Sequence, residues 1–190
     1  MLVSSIKSFL SRFRAQAGLL GLALLLAGPA LWSCKGDTAY SKAIRDHQDL
    51  YKAIDDTTIQ GYLTRHNYSA ATYKRTNSGL YIVTLKSGTG PVPALGKQVA
   101  IRYIGRFVSR NIENIIFDNS ADGRTSCGCA TFTVGTGVIA GWTEALQLMH
   151  QGDRILLLVP SYLAYGPTGS GTIPPDTPLL FDMELLTISQ

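Results

Sequence analysis

The chain closes on a strict period of two. Leu179, Phe181, Met183 and Leu185 alternate with Leu180, Asp182 and Glu184. In a strand, that spacing puts the first set on one face and both carboxylates on the other. The segment therefore has to lie in a sheet with one face against a core. Directly before it stands "AYGPTGSGTIPP", Ala164 to Pro175, a Gly-rich loop whose closing Pro-Pro pair sets φ near about −65°. Other strands precede it. Leu80 to Leu85 is rich in β-formers, and Val99, Ile101 and Tyr103 alternate with Ala100, Arg102 and Ile104. "FTV" is a short strand, and "RILLLVP" from Arg154 reads as a strand buried on both faces. Between these last two lies one short helix in "GVIAGWTEALQLMHQGD". Trp142, Ala145, Leu146 and Met149 form its apolar stripe, Thr143 and Glu144 are expected in its first turn, and Gly152 is expected to stop it. Strands on both sides of a single helix, without βαβ repeats, specify an α+β domain with an antiparallel sheet. "SRNIENIIFDNSADGRTSCGCA" reads as irregular, as does "HNYSAATYKRTNSG".

The first 33 residues stand apart from this domain. Lys7, Arg12 and Arg14 precede an uncharged apolar run from Ala17 to Leu31. That run is shorter than the about 20 residues a membrane span needs and fits the apolar region of a signal peptide. "LWSC", Leu31 to Cys34, resembles the lipobox of bacterial lipoproteins, which implies a lipid on Cys34. An uncleaved signal anchor ending in an ordinary Cys is the alternative. With no Asp directly after Cys34, the resemblance implies a bacterial cell envelope location, at the outer membrane facing the periplasm. Without the leader the chain holds 14 basic and 13 acidic residues, so no basic face for nucleic acid is expected. The expected organisation is leader 1–33, tether 34–40, helical segment 41–67 and main domain 80–190. In the helical segment Ala43, His47, Leu50 and Ile54 recur at helical spacing, then Ile59, Tyr62 and Leu63. Asp55 to Thr58 between them could cap a second helix. Packing against its own domain and a dimer stalk are both open for this segment.

Two further cysteines, Cys127 and Cys129, flank one Gly. Exported proteins meet conditions in which disulfides persist, so this pair can close one. A loop element and a redox motif are both open readings. No metal site is expected, because two sulfurs need further ligands and His47, His66 and His150 are scattered through the chain.

Five ordered pieces carry a resemblance. "YIG" (Tyr103 to Gly105), "FDNS" (Phe117 to Ser120), "GVIAGW" (Gly137 to Trp142), "AYG" (Ala164 to Gly166) and "IPPDTPLLFDMELL" (Ile173 to Leu186) resemble the FKBP-type peptidyl-prolyl isomerases, in order and approximate spacing. The resemblance implies an FKBP-like bent antiparallel β-sheet wrapped around one short α-helix, here preceded by a helical segment and a signal peptide. It implies an apolar pocket with Trp142 as floor and Tyr103, Phe117, Val138, Ile139, Ile173 and Phe181 as walls. Tyr165 and Asp118 would be polar groups at its edge, and Ala164 would join the substrate contacts. "AYGPTGSGTIPP" becomes the flap. Asp118, Tyr165, Ile139 and Phe117 take the catalytic roles, with the Ile139 N–H and the Tyr165 hydroxyl holding substrate carbonyls. Ala130 stands where the family often places an aromatic, which bears on substrate preference and inhibitor binding.

The implied reaction is rotation about a prolyl bond in proline-containing polypeptides, which needs no cofactor. Its barrier is roughly 18–20 kcal/mol, and nothing but the amide torsion changes. Nucleophile and acid–base constellations are unnecessary for it. A binding module that holds peptides without catalysis is the alternative reading of the same pocket.

Overall fold

The computed structural model describes residues 38–121 and 125–189. The leader, Cys34 and most of the tether lie outside the described residues. The fold is that of the unit Tyr40–Gln190. Its first helix, α1 (Ala39–Arg65), is followed by β1 (Tyr73–Arg75), β2 (Tyr81–Lys86), β3 (Gln98–Phe107), β4 (Ile116–Asn119) and β5 (Ala130–Thr133). The helix α2 (Ala140–Leu146) then precedes β6 (Arg154–Val159) and β7 (Leu179–Ile188).

All seven strands join one antiparallel sheet in the order β1-β2-β6-β7-β3-β4. β5 pairs with Gln98–Ile101 and β4 with Ile104–Arg106, so they share one edge of β3. Register shifts at Thr84/Lys86, Ala100/Ile101 and Gly105/Arg106 bend the sheet, as bulges do. Its concave side takes α2: Leu157, Val159, Phe181 and Met183 pack with Trp142, Ala145, Leu146 and Met149. The close approach of α2 is possible because Gly141 has no Cβ, which would lie 2.6 Å from Val159 Cγ1 and 3.2 Å from Leu80 Cδ2.

The opposite face is covered as well. Leu156, Leu158, Leu180, Tyr81 and Val83 pack beneath Ile59, Tyr62 and Leu63 of α1. This second layer explains why β6 is buried on both faces, and why Leu180 is buried although the alternation turns it away from α2. Asp182 and Glu184 do face outward, but each is only partly exposed and ion-paired. Arg154 Nε and Nη2 grip Asp182 at 2.9 and 2.8 Å, and Arg102 Nη1 reaches Glu184 at 2.9 Å.

Several expectations are corrected. α1 is a single continuous helix, with no break at Asp55–Thr58. Thr57 and Thr58 donate back to the carbonyls of Ala53 and Ile54 at 2.9 and 2.8 Å, so neither caps a new start. Asp56 accepts from Arg75 and Tyr81 instead. Of the apolar residues picked out by spacing, Ile59, Tyr62 and Leu63 pack on the domain, whereas Leu50 and Ile54 remain 58% and 44% exposed. The loop-like stretch after α1 contains β1, because Tyr73 and Arg75 pair with Val83 and Tyr81. The irregular stretch after β3 likewise contains β4. Glu144 lies beyond the first turn of α2, which has no acidic residue. The helix is shorter than its apolar stripe: it ends at Leu146, and Met149 reaches the core from the turn that follows. Gly152, at φ +95°, belongs to the tight turn into β6 and does not end the helix.

Candidate functional site

A cavity of about 470 Å³ opens between the concave side of the sheet and α2. Its floor is Trp142, buried on the first full turn of α2. Three rings surround that indole edge to face: Tyr103 at 5.0 Å, Phe181 at 5.1 Å and Phe132 at 5.1 Å between centroids, with interplanar angles of 86°, 82° and 77°. Offset, T-shaped contacts are the arrangement favoured by the ring quadrupoles, each worth about 0.5–1.5 kcal/mol beyond area burial. The cup is therefore held by its own walls.

Each wall is positioned by its strand. Tyr103 and Phe181 project from β3 and β7, which are neighbours, and Tyr103 pairs with Met183 while Gly105 pairs with Phe181. Phe117 closes the far side, 5.7 Å from Phe181 at 88°. It is the residue skipped in the β3–β4 register, where Gly105 pairs with Asp118 and Arg106 with Ile116. The bulge turns its ring into the cavity. Gly105 makes the room: a Cβ there would lie 2.7 Å from Phe117 Cζ and 3.2 Å from Phe181 Cε1. The Gly of "YIG" is thus a packing requirement of the aromatic wall.

The polar groups gather at the edge. The Tyr103 hydroxyl donates to Asp118 Oδ2 at 2.7 Å, and the Asn119 N–H donates to Asp118 Oδ1 at 2.8 Å. Both carboxylate oxygens are held, so the negative charge has a fixed place. The Tyr103 N–H donates to Ser120 Oγ at 2.9 Å, which ties the same two strands at depth. Across the opening, Tyr165 is 38% exposed. Partial burial, and secondarily the Asp118 charge, push its hydroxyl above the ordinary tyrosine value, so it stays protonated and able to donate. Val138 and Ile139 line the side toward α2. Ile139 is the N-cap residue of α2 with an extended backbone, a position whose N–H a helix start leaves without an intrahelical partner.

The structure brings together Tyr103, Phe117, Asp118, Val138, Ile139, Trp142, Ala164, Tyr165 and Phe181 around one cavity. Ile173 is not part of the immediate lining. It is buried in the same apolar cluster as Tyr103, Trp142 and Phe181, in a small hairpin closed by Ser170 N–H to Ile173 O at 2.9 Å and Ile173 N–H to Ser170 O at 2.8 Å. The loop after Ala164 therefore contributes only its first residues to the lining. Phe132, Gly137 and Ala140 also line the cavity, and sequence reasoning missed them. The signal for Phe132 was available, since it shares a strand face with Ala130 two residues away. With Ala130 small, the Phe132 ring fills the space against Tyr103 and Trp142. Cys127 and Cys129 are joined by a disulfide outside the cavity lining. Cys34 lies outside the described residues.

Comparison with known proteins bears on the same region. The family model described as "FKBP-type peptidyl-prolyl cis-trans isomerase" matches residues 90–186. The chain is 42% identical over 113 residues to a macrophage infectivity potentiator of Trypanosoma cruzi, covering 58% of this chain and 54% of that one. It is 36% identical over 148 residues to the FKBP-type peptidyl-prolyl cis-trans isomerase FkpA of Aeromonas hydrophila, covering 75% and 52%. The chain thus spans about half the length of the curated relatives it matches. A crystal structure of a peptidyl-prolyl cis-trans isomerase from Pseudomonas syringae superimposes with a TM-score of 0.60 at 34% identity, covering 75% of this chain and 96% of that one.

Proposed function

This chain belongs to the FKBP-type peptidyl-prolyl cis-trans isomerase family, and from that premise we propose that it accelerates prolyl-bond rotation in exported polypeptides while anchored to the bacterial envelope through a lipid on Cys34. The observation that carries the catalytic part is the aromatic cup itself. A planar amide is stabilised by resonance that places charge on its oxygen, and water favours that charge. The twisted amide is less polar at oxygen and loses less on leaving water. A cup lined by Trp142, Tyr103, Phe117, Phe132 and Phe181 replaces water around a bound prolyl amide and so acts on the difference between the planar and twisted forms, which is what lowers a barrier.

The edge groups orient the peptide. The Tyr165 hydroxyl and the Ile139 N–H hold substrate carbonyls, and Asp118 sets the local field beside the twisting imide. One well-placed donor is worth about 3 kcal/mol in a catalytic site, so these groups assist a cup that removes the remainder. Asp118 also holds the Tyr103 hydroxyl and so maintains the wall it borders.

The decisive measurement is isomerisation of a proline-containing tetrapeptide by the full chain. The unmodified protein is expected to exceed the uncatalysed rate, with Phe181→Ala and Asp118→Ala each lowering kcat/KM by about tenfold or more, the scale of losing one or two kcal/mol of transition-state stabilisation. A chain that binds the peptide without accelerating it would instead be a peptide-holding module. Anchoring has its own test. Lipidated Cys34 places the protein in the membrane fraction, with more than one acyl chain required for stable attachment, and Cys34→Ser is expected to release it. The absence of Asp after Cys34 favours the outer membrane, facing the periplasm.

A further inference from the structure

We propose that α1 is a brace for the catalytic edge, with Asp55 and His47 as positioning residues for isomerisation. The inference rests on the function proposed above. Both residues stand outside the matched stretch 90–186, on a helix that contributes nothing to the cavity lining.

The segment between β6 and β7 carries Ala164 and Tyr165 to the cavity rim. It leaves β6 at Pro160, and Ser161 is its first anchored residue. Ser161 donates both its N–H and its hydroxyl to Asp55 Oδ2, each at 2.7 Å. This contact is buried, with Asp55 and Ser161 0% and 1% exposed. From there the chain has little freedom. The Leu163 N–H bonds to Pro160 O at 3.0 Å and the Ala164 N–H to Ser161 O at 2.9 Å, so a tight turn transmits the position of Ser161 directly to Ala164 and Tyr165. The Tyr162 hydroxyl adds a second tie, donating to Ser78 O at 2.7 Å.

The far end of the same segment returns to the same helix. The Asp176 N–H donates to Gly166 O at 2.8 Å, drawing the returning loop against the residue after Tyr165. Asp176 Oδ2 in turn meets His47 Nε2 at 3.2 Å. His47 and Asp55 are separated by two helical turns, about 12 Å along the axis, so α1 grips the loop at two separated points. A single exposed tether would leave the Tyr165 hydroxyl free to swing. Two grips from one rigid rod fix it, and small displacements of such groups carry large kinetic penalties.

The test compares Asp55→Ala, Asp55→Asn and His47→Ala in the full chain, by tetrapeptide kinetics and site-resolved amide exchange. Asp55→Ala is expected to lower kcat/KM roughly tenfold, mostly in kcat, short of the hundredfold that an ångström of misplacement can cost. Asp55→Asn keeps an oxygen that accepts from both Ser161 donors and is expected to stay within about twofold. His47→Ala loses a partly exposed pair and is expected to cost about threefold. In Asp55→Ala and His47→Ala, amides between Ala164 and Asp176 should exchange faster while those of β3 and β7 keep their protection. An active unmodified chain with equally active Asp55→Ala and His47→Ala variants would overturn the brace alone. If Asp55→Ala does not fold, unchanged kinetics in His47→Ala overturn it. An unmodified chain without isomerase activity would overturn the proposed function and the brace together.

Discussion

Asp55 is a carboxylic acid with no exposed surface, one oxygen of which finds no hydrogen-bond partner among the described residues. Withdrawal from water raises its carboxyl above the ordinary value, the two Ser161 donors oppose that rise, and the charge of Asp176 adds to it. Between the unfolded value of about 3.9 and the raised folded value, the folded chain holds a proton that the unfolded chain has released. Stability contributed by this group is therefore full below the unfolded value and is lost as pH rises through the folded one. Asp55→Asn removes the titration. In denaturant unfolding, the midpoint of the unmodified chain is expected to gain on that of Asp55→Asn as pH falls from neutral toward about 4. A gap that does not change with pH would contradict the assignment. Residues of this kind were not legible in the sequence: Asp55 looked like a cap because its acceptor role depends on Ser161, far along the chain. Tyr103, Trp142 and Phe181 were legible because short local motifs mark them. Phe132 belongs to no such motif, and its place in the cup depends on the space left by Ala130, its small neighbour on the same face.

At the scale of elements, the two halves of α1 behave differently although their apolar spacing is similar. Ile59, Tyr62 and Leu63 close the outer layer over β2, β6 and β7, while Leu50 and Ile54 remain exposed. Ile59→Ala is accordingly expected to lower unfolding free energy by about 2–5 kcal/mol. Leu50→Ala is expected to stay within about 0.5 kcal/mol, as for most surface substitutions. Equal losses in the two variants, measured by urea unfolding of the isolated chain, would show that the first half of α1 is packed after all. Periodicity announces an apolar face on a helix. It carries no information on how far along its length a partner surface extends, and here the sheet ends before the helix does. The same reason hid β1 and β4, whose few residues become strands through pairing with Tyr81–Val83 and Ile104–Arg106, not through any pattern of their own.

For the molecule as a whole, the Cys127–Cys129 disulfide closes a very small loop, and the chain-entropy gain from so short a closure is only about 1–2 kcal/mol. Neither cysteine lines the cavity. Reduction by excess dithiol is therefore expected to shift the unfolding midpoint slightly and to leave kcat/KM within about twofold, since the cup is assembled elsewhere. A loss of activity on reduction, reversed on reoxidation, would reassign the pair to a redox role. The long strands and the short helix follow from the sequence alone, because alternation and helical spacing act over a few residues, whereas Tyr103, Phe117, Trp142 and Phe181 were marked as a set by the resemblance of their motifs to a known family. Tertiary structure alone decided that Ile173 is buried behind the lining, that Phe132 enters the cup, and that a buried carboxyl group of α1 anchors the loop bearing Tyr165. Each depends on groups distant in sequence meeting in a low-dielectric interior, where one unpaired donor or one surplus methyl outweighs any local preference.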